Sequence, residues 1–370
     1  MDSGRRGFLQ FSLSAIALGV SGLSLGKTQS TSNLLLSCRS DRAGRHFFTA
    51  IDIVGKIHFD IPLPARGHDA VIKPGGMQSV VFARRPGEFM FVIDLDSGQV
   101  IQKVSSSNDR HYYGHGDFDA NGLLYVSEND YEAGRGVIGV YDSNDGYRRV
   151  GEFASHGVGP HELKFLADKR TVVIANGGIK THPDYGRTKL NLKKMQPNLA
   201  YVDASSGQLL DAYQPPRQWH QLSIRHLDII DDTVCAVMQY QGPVNQRPPL
   251  IALHSGEDHL RLLAAPDSVQ KQMRNYCGSV CGGSSGKTFA VSSPRGNITT
   301  FWSKQSGDYL GSVEVTDGCG LAPGDVSGEF IISNGNGALY RCRNNKLEAS
   351  PILSDGDIRW DNHLTASLFA

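Results

Sequence analysis

The chain has 370 residues, a formal net charge of zero and 20% charged residues. That balance argues against the basic field of a nucleic-acid binder and the charge run of an acidic tail. With 39% hydrophobic residues and 42 glycines, the composition fits a turn-rich globular β protein rather than a disordered or membrane chain, and all-β folds of this length often form one domain.

In chain order, the first element has the plan of an export signal. Ser3-Gly4-Arg5-Arg6-Gly7-Phe8-Leu9 precedes an apolar stretch from Phe11 to Leu25, and small polar residues follow to Ser32. Paired arginines followed by Phe-Leu predict a twin-arginine (Tat) signal peptide over residues 1–31, although Gly4 and Gln10 depart from the usual pattern; the alternative is an ordinary Sec signal or an uncleaved anchor. No cysteine directly follows the apolar stretch, which argues against a lipoprotein. No other stretch is long enough to span a bilayer. The mature chain, residues 32–370, is expected to be periplasmic, soluble and monomeric, with no nucleic-acid partner and no membrane span.

Beyond the signal, three strand-like runs come first: Asn33-Leu-Leu-Leu-Ser, His46-Phe-Phe-Thr-Ala-Ile-Asp and Lys56-Ile-His-Phe-Asp. One plan then recurs six times: a first strand, a Gly/Asn/Asp turn, an apolar second strand, and a third strand ending at a turn such as Ser97-Gly98, Asp145-Gly146 or Ser206-Gly207. Strand runs bounded by such turns predict antiparallel meanders. No segment carries sustained helical periodicity.

Each unit is headed by a His or Cys: His68, His115, His161, His226, Cys277, Cys319 and His363, at intervals of 47, 46, 65, 51, 42 and 44 residues. Strand repeats of about 40–50 residues are the sequence form of a β-propeller. Seven anchors enclose six complete units. The last anchor strand, His363-Leu-Thr-Ala-Ser, combines with the three N-terminal runs to supply a seventh. The fold predicted is all-β, a single seven-bladed β-propeller from residue 32 to 370, closed by pairing N- and C-terminal strands.

A propeller directs its innermost strands at one axis, so the anchors are expected to converge. Imidazole is the commonest ligand of transition metals and thiolate suits the softer ones. His115, His161, His226 and His363 have the cleanest strand context and form the expected metal set. His68, Cys277 and Cys319 complete or flank it. The two cysteines could instead form a disulfide across the shaft, or Cys277 could pair with Cys281. The bland alternative is that histidines at blade starts only hydrogen-bond across strands. A second histidine set, His111, His156 and His220, is expected on the rim of the shaft. Glu162 and Asp228 follow their anchors closely and are candidates to orient imidazoles, although strand alternation would turn Glu162 between blades. Cys235, inside Thr233-Val-Cys-Ala-Val, reads as a core residue. The basic segment from Gly178 to Pro197, which makes one interval long, is either a functional loop or surface decoration.

Two glycine motifs carry no nucleotide chemistry. Gly134-Arg-Gly136-Val-Ile-Gly139 runs into a strand rather than a helix, and Gly282-Gly-Ser-Ser-Gly286-Lys-Thr joins two strands with Cys281 where a phosphate loop needs glycine.

The twin-arginine start, the segments Gly-Pro-His161-Glu-Leu and Arg225-His226-Leu-Asp, and the terminal Trp360-Asp-Asn-His363 together resemble a bacterial Tat-exported periplasmic propeller family known as domain of unknown function 1513. The resemblance covers nearly the whole mature length and supplies no catalytic residue. Members are commonly encoded beside imelysin-type and di-haem periplasmic proteins of iron acquisition. The resemblance implies iron as the metal, with copper next, and periplasmic iron-uptake proteins as partners. Two other functions compete with metal handling: a metal-dependent propeller enzyme (oxidoreductase, lyase or lactonase), and a metal-free interaction scaffold.

Overall fold

A computed structural model describes residues 34–367 apart from Arg187; the expected signal peptide lies outside the described residues. Seven antiparallel sheets follow one another along the chain. Blades 1 to 6 are four-stranded meanders whose first strands are Gly67–Ile72, Arg110–Phe118, Pro160–Phe165, Leu222–Ile230, Ser279–Gly282 and Gly318–Pro323. The first strands of successive blades touch in turn, and the round closes through Thr365–Ser367, which touches both blade 6 and blade 1. They line the shaft, while last strands such as Gln208–Tyr213 are mostly exposed.

Blade 7 draws on both ends of the chain. Leu34–Ser40 pairs with His46–Asp52, and that strand with Ile57–Leu63. On its inner side Leu34–Ser40 receives two C-terminal pieces, Thr365–Ser367 opposite Leu34–Leu36 and Arg359–Trp360 opposite Arg39–Ser40. His363 sits between the two pieces, and its carbonyl accepts from Ser37 Oγ at 2.7 Å.

The apolar core lies between blades. Each strand sends alternate residues to its two faces, and each face meets a neighbouring sheet. Val80, Phe82, Met90 and Val92 of blade 1 pack on Tyr112, Phe118, Leu124 and Val126 of blade 2. Leu35 and Ile51 of blade 7 pack on Ile331 and Leu339 of blade 6. Cys235 is fully buried in a cluster shared by blades 3, 4 and 5, as its sequence context predicts. Both glycine motifs are hairpin turns: the first joins Leu123–Asp130 to Arg135–Asp142, the second Ser279–Gly282 to Thr288–Ser293. The helical additions include one short helix, Asp267–Gln272, between blades 4 and 5.

Candidate metal centre

The anchors do not simply precede their strands. Five of them lie within first strands, and four of these are at β-bulges. In blade 1, Gly67 faces Ala83 and Ala70 faces Val81, so His68 and Asp69 together oppose one residue. His115 lies in a bulge between Tyr112 and Gly116, His161 is the extra residue between Pro160 and Glu162, and Cys319 lies in the bulge between Gly318 and Leu321. In blade 4 the extra residue is Arg225, immediately before His226. A bulge breaks the two-residue alternation and re-aims a side chain. Here it lets consecutive residues serve the shaft and the seam beside it.

Five imidazoles meet. His68 is 4.8 Å from His115 and 4.7 Å from His363, ring centre to ring centre; His115 is 5.1 Å from His161, and His226 lies 4.6 Å from both His161 and His363. The ligating atoms of His68, His115 and His161 lie within 4.8 Å of one another, as do those of His115, His226 and His363. Three atoms spaced 4.8 Å apart have a common centre about 2.8 Å from each, so each ring nitrogen moves inward by at most about 0.7 Å to reach a metal–nitrogen bond of about 2.1 Å. His115 belongs to both triads and also to a third group with Asp69 and Glu162.

Carboxylates hold three of the rings. Asp361 lies 3.1 Å from His68 Nδ1, Asp69 lies 2.9 Å from His115 Nδ1 and Glu162 lies 2.9 Å from His226 Nδ1. The same Glu162 oxygen accepts from the Leu227 backbone at 3.3 Å. Each acceptor comes from the blade before the ring it holds. With Nδ1 donating, Nε2 is left as the coordinating nitrogen. Three ring nitrogens, His115 Nε2, His161 Nδ1 and His363 Nε2, are buried with no hydrogen-bond partner.

Burial removes water from four of the rings, whereas His161 is half-buried with its Nδ1 enclosed; the effect of burial is the same in each. Burial holds His68, His161 and His226 well below the ordinary histidine value, and His363 at about 3, with neighbouring imidazoles pushing the same way. Burial also pulls His115 down, but its hydrogen bond to Asp69 and the charges of Glu162 and Asp69 outweigh this and raise it. Asp69 is correspondingly held low despite its burial, whereas burial pushes Glu162 up. Four neutral imidazoles are the protonation state a metal needs.

A cavity of about 310 Å³ adjoins the ring, and Asp69, Glu162 and His363 belong to its wall. Asp117, Lys164 and Asp228 line it further along the shaft. Lys164 Nζ lies 3.2 Å from Asp228, and the acids around it overcome burial to raise its pKa. This is where the expectation for Asp228 fails. It pairs with Lys164 and accepts from the Gly282 backbone at 2.7 Å, so among the described residues it holds no imidazole. Glu162 departs from the alternation expected of it, because the bulge at His161 turns it to His226.

The cysteines do not join the ring. Among the described residues no group with metal-ligand spacing contains a thiol, and all six cysteines are free and buried. No disulfide therefore links Cys277 to Cys319 or Cys281. Cys277 ends before its strand begins at Ser279 and packs with Met238 and Leu250 in the seam of blades 4 and 5, where burial pushes its thiol to about 12. Cys319 Sγ turns back toward the Asp317 carbonyl at 3.2 Å.

The expected rim histidines scatter. His111 is buried in the first strand of blade 2, stacked on Tyr131 with 5.7 Å between ring centres, and desolvation holds it at about 4. His156 Nε2 lies 2.9 Å from the Gly207 carbonyl, and His220 is exposed after a short 3-10 turn. Sequence reasoning did not single out Asp69 or Asp361. Their signal was position alone, one residue after His68 and two before His363.

Comparison with known proteins agrees with the architecture. A solved chain of hydrazine synthase from Kuenenia stuttgartiensis superposes with a TM-score of 0.57 at 12% identity, over 86% of this chain and 95% of that one. At that identity the likeness concerns the fold alone. No curated protein sequence matches. A family model described as "Protein of unknown function (DUF1513)" matches residues 61–367.

Proposed function

The chain belongs to the DUF1513 family of proteins of unknown function, and we propose that it is a metal-binding propeller whose shaft holds one transition-metal ion through His115, His161, His226, His363 and His68. The observation that carries this reading is the set of three partnerless, buried ring nitrogens inside a ring whose other members are held by carboxylates. Buried polar atoms are ordinarily satisfied, and a histidine serving only to tie strands together has its nitrogens hydrogen-bonded. Metal ligation accounts for them, His115 with His161 in one triad and with His363 in the other. Nitrogen-rich sites suit iron and copper as well as zinc. Iron, with copper next, is the metal proposed for a periplasmic, Tat-exported protein of iron or metal handling with iron-uptake partners.

A metal-dependent enzyme is the second reading, favoured by the cavity against the ring. A catalytic metal keeps a coordination position open toward substrate, where it acts as a Lewis acid or redox centre. Ligand number separates the two: five histidines on the ion indicate a closed site, three or four with bound water an open one.

The test is elemental analysis of protein purified without added chelator. The expected result is close to one equivalent of a single transition metal. His161→Ala combined with His226→Ala is expected to abolish metal content while the β-sheet circular dichroism persists. A wild-type protein free of metal after exposure to iron(II) and copper(II) overturns the reading.

A further inference from the structure

The shaft has two unlike ends. First-strand residues beyond the ring histidines, among them Asp117, Glu162 and Asp228, make the adjoining cavity acidic on balance. Residues before those histidines face the other end, where blades begin and the turns between second and third strands gather. That end collects cations from four blades. Arg225 is the bulge residue of blade 4. Arg85 lies in such a turn of blade 1, Arg295 in that of blade 5, and Lys189 in the long segment of blade 3.

These groups are close enough to act on one another and on two tyrosines. The Arg85 guanidinium lies 5.6 Å from the centre of the Tyr113 ring, and that of Arg295 lies 4.1 Å from Tyr276. Arg225 is only 7% exposed, and its Nε has no hydrogen-bond partner. The pKa of Lys189 is lowered by burial and by the charges of Arg225, Arg295 and Arg85, while its Nζ donates to Gln241 of blade 4. The buried hydroxyls of Tyr113 and Thr181 are also without a partner in good hydrogen-bond geometry. The acids that Glu132 and Asp184 bring to this end lie by His182, at 3.8 and 3.6 Å.

A buried guanidinium among like charges is a costly arrangement unless an anion neutralises it. The segment from Gly178 to Pro197, which carries Lys189, is tied down at both of its neighbours. Asn129 of blade 2 donates to the Thr181 carbonyl at 3.4 Å, and Gln221 of blade 4 donates to that of Leu192 at 3.2 Å. The segment thus bridges from its own blade to the blades on either side.

We propose that this end of the shaft is a binding site for a small polyanion, a species with two or more carboxylate or phosphate-type negative charges, held by Arg225, Arg85, Arg295 and Lys189 with Tyr113 and Tyr276 as its walls. Guanidinium forks match such oxyanions bidentately. The site does not depend on metal in the histidine ring. A metal bound there would add to the attraction, since Arg225 adjoins His226 in sequence.

The experiment is calorimetric titration of the full, chelator-treated protein at low salt with inorganic phosphate and, separately, with citrate. At least one probe is expected to bind with Kd below about 1 mM, and the tighter one tells phosphate from carboxylate chemistry. Arg225→Met and Arg295→Gln should each weaken it about tenfold, the scale of a lost charged hydrogen bond. Both variants should keep or raise the thermal midpoint, because each removes one of several mutually repelling cations. A purely structural arginine would lower it. Arg45→Gln, an exposed cation already paired with Asp41, should leave binding unchanged. The proposal is overturned if neither probe binds, if both variants bind within twofold of wild type, or if both lose thermal stability. Should Arg225→Met fail to fold, Arg85→Gln takes its place with the same expectations. These arms use chelator-treated protein, so their failure leaves the histidine-ring reading untouched.

Discussion

At the scale of single residues, three of the five rings have Nδ1 fixed by a carboxylate. Glu162 is one such carboxylate. It ligates nothing in the proposed site, yet it sets the tautomer and direction of His226. Glu162→Gln keeps the shape and weakens the acceptor, and acceptors of this kind are worth about 10–100-fold in metal affinity. We expect a loss of that size in competition with a chromophoric chelator, with circular dichroism unchanged; an affinity equal to wild type would remove Glu162 from the site. The rings also dictate a pH response. His68, His161, His226 and His363 titrate below their unfolded value near 6.5, so below that pH the unfolded chain binds protons that the folded chain refuses. Stability then falls as pH falls, by up to about 1.4 kcal/mol per unit for each such histidine. His115 is raised and has the opposite sign: its contribution is present at low pH and lost as pH rises through its folded pKa. Four against one, the metal-free protein should lose thermal stability steadily from pH 7 to pH 5. A midpoint that is flat or rising over that range would contradict the assignment.

At the scale of elements, the bulged first strand is the device that matters, and it marks the limit of what could be read from the sequence. Blade-length spacing sufficed to bring together His68, His115, His161, His226 and His363, because propeller geometry sends equivalent positions to equivalent places. The same logic misplaced Cys277 and Cys319. Their spacing is right, but Cys277 falls just outside its strand and Cys319 Sγ bends back to Asp317. Strand alternation likewise gave the wrong direction for Glu162, since one extra residue reverses every face after it. Such bulges leave little trace in composition. Gly114 is an exception, a glycine at φ 104° directly before His115, where an added Cβ would stand 2.7 Å from His68 Cδ2. Gly114→Ala should therefore both strain the backbone, by about 1–3 kcal/mol, and displace His68. Urea denaturation measures the first effect and metal stoichiometry the second. Unchanged stability would mean that the bulge tolerates a side chain at that φ.

At the scale of the whole molecule, the ring of blades depends on a short C-terminal piece. The blade count was legible because six full units and the unmatched strands at both ends add up to seven. What the sequence could not show is how little chain does the closing. Thr365–Ser367 and Arg359–Trp360 complete blade 7, and between them lie Asp361, which holds His68, and Leu364, buried with Trp360 against blade 6. Removing residues 361–370 takes away a strand, a ring histidine and its neighbour's acceptor. Burying Leu364 alone is worth about 2–3 kcal/mol, a large fraction of the roughly 5–15 kcal/mol that keeps a domain folded. The truncated protein should unfold at a markedly lower temperature, and in one transition, because every blade leans on the next. A circular permutant separates closure from mere chain length. Leu34 lies opposite Ser367, so a short linker can join these ends while new termini open at the exposed Asn144–Asp145 turn of blade 2. Such turns tolerate new ends. The permutant should retain the wild-type thermal midpoint within a few degrees and bind metal, whereas the truncation should lose both. If the truncated chain melts like the full one, the C-terminal strand is not what closes the ring.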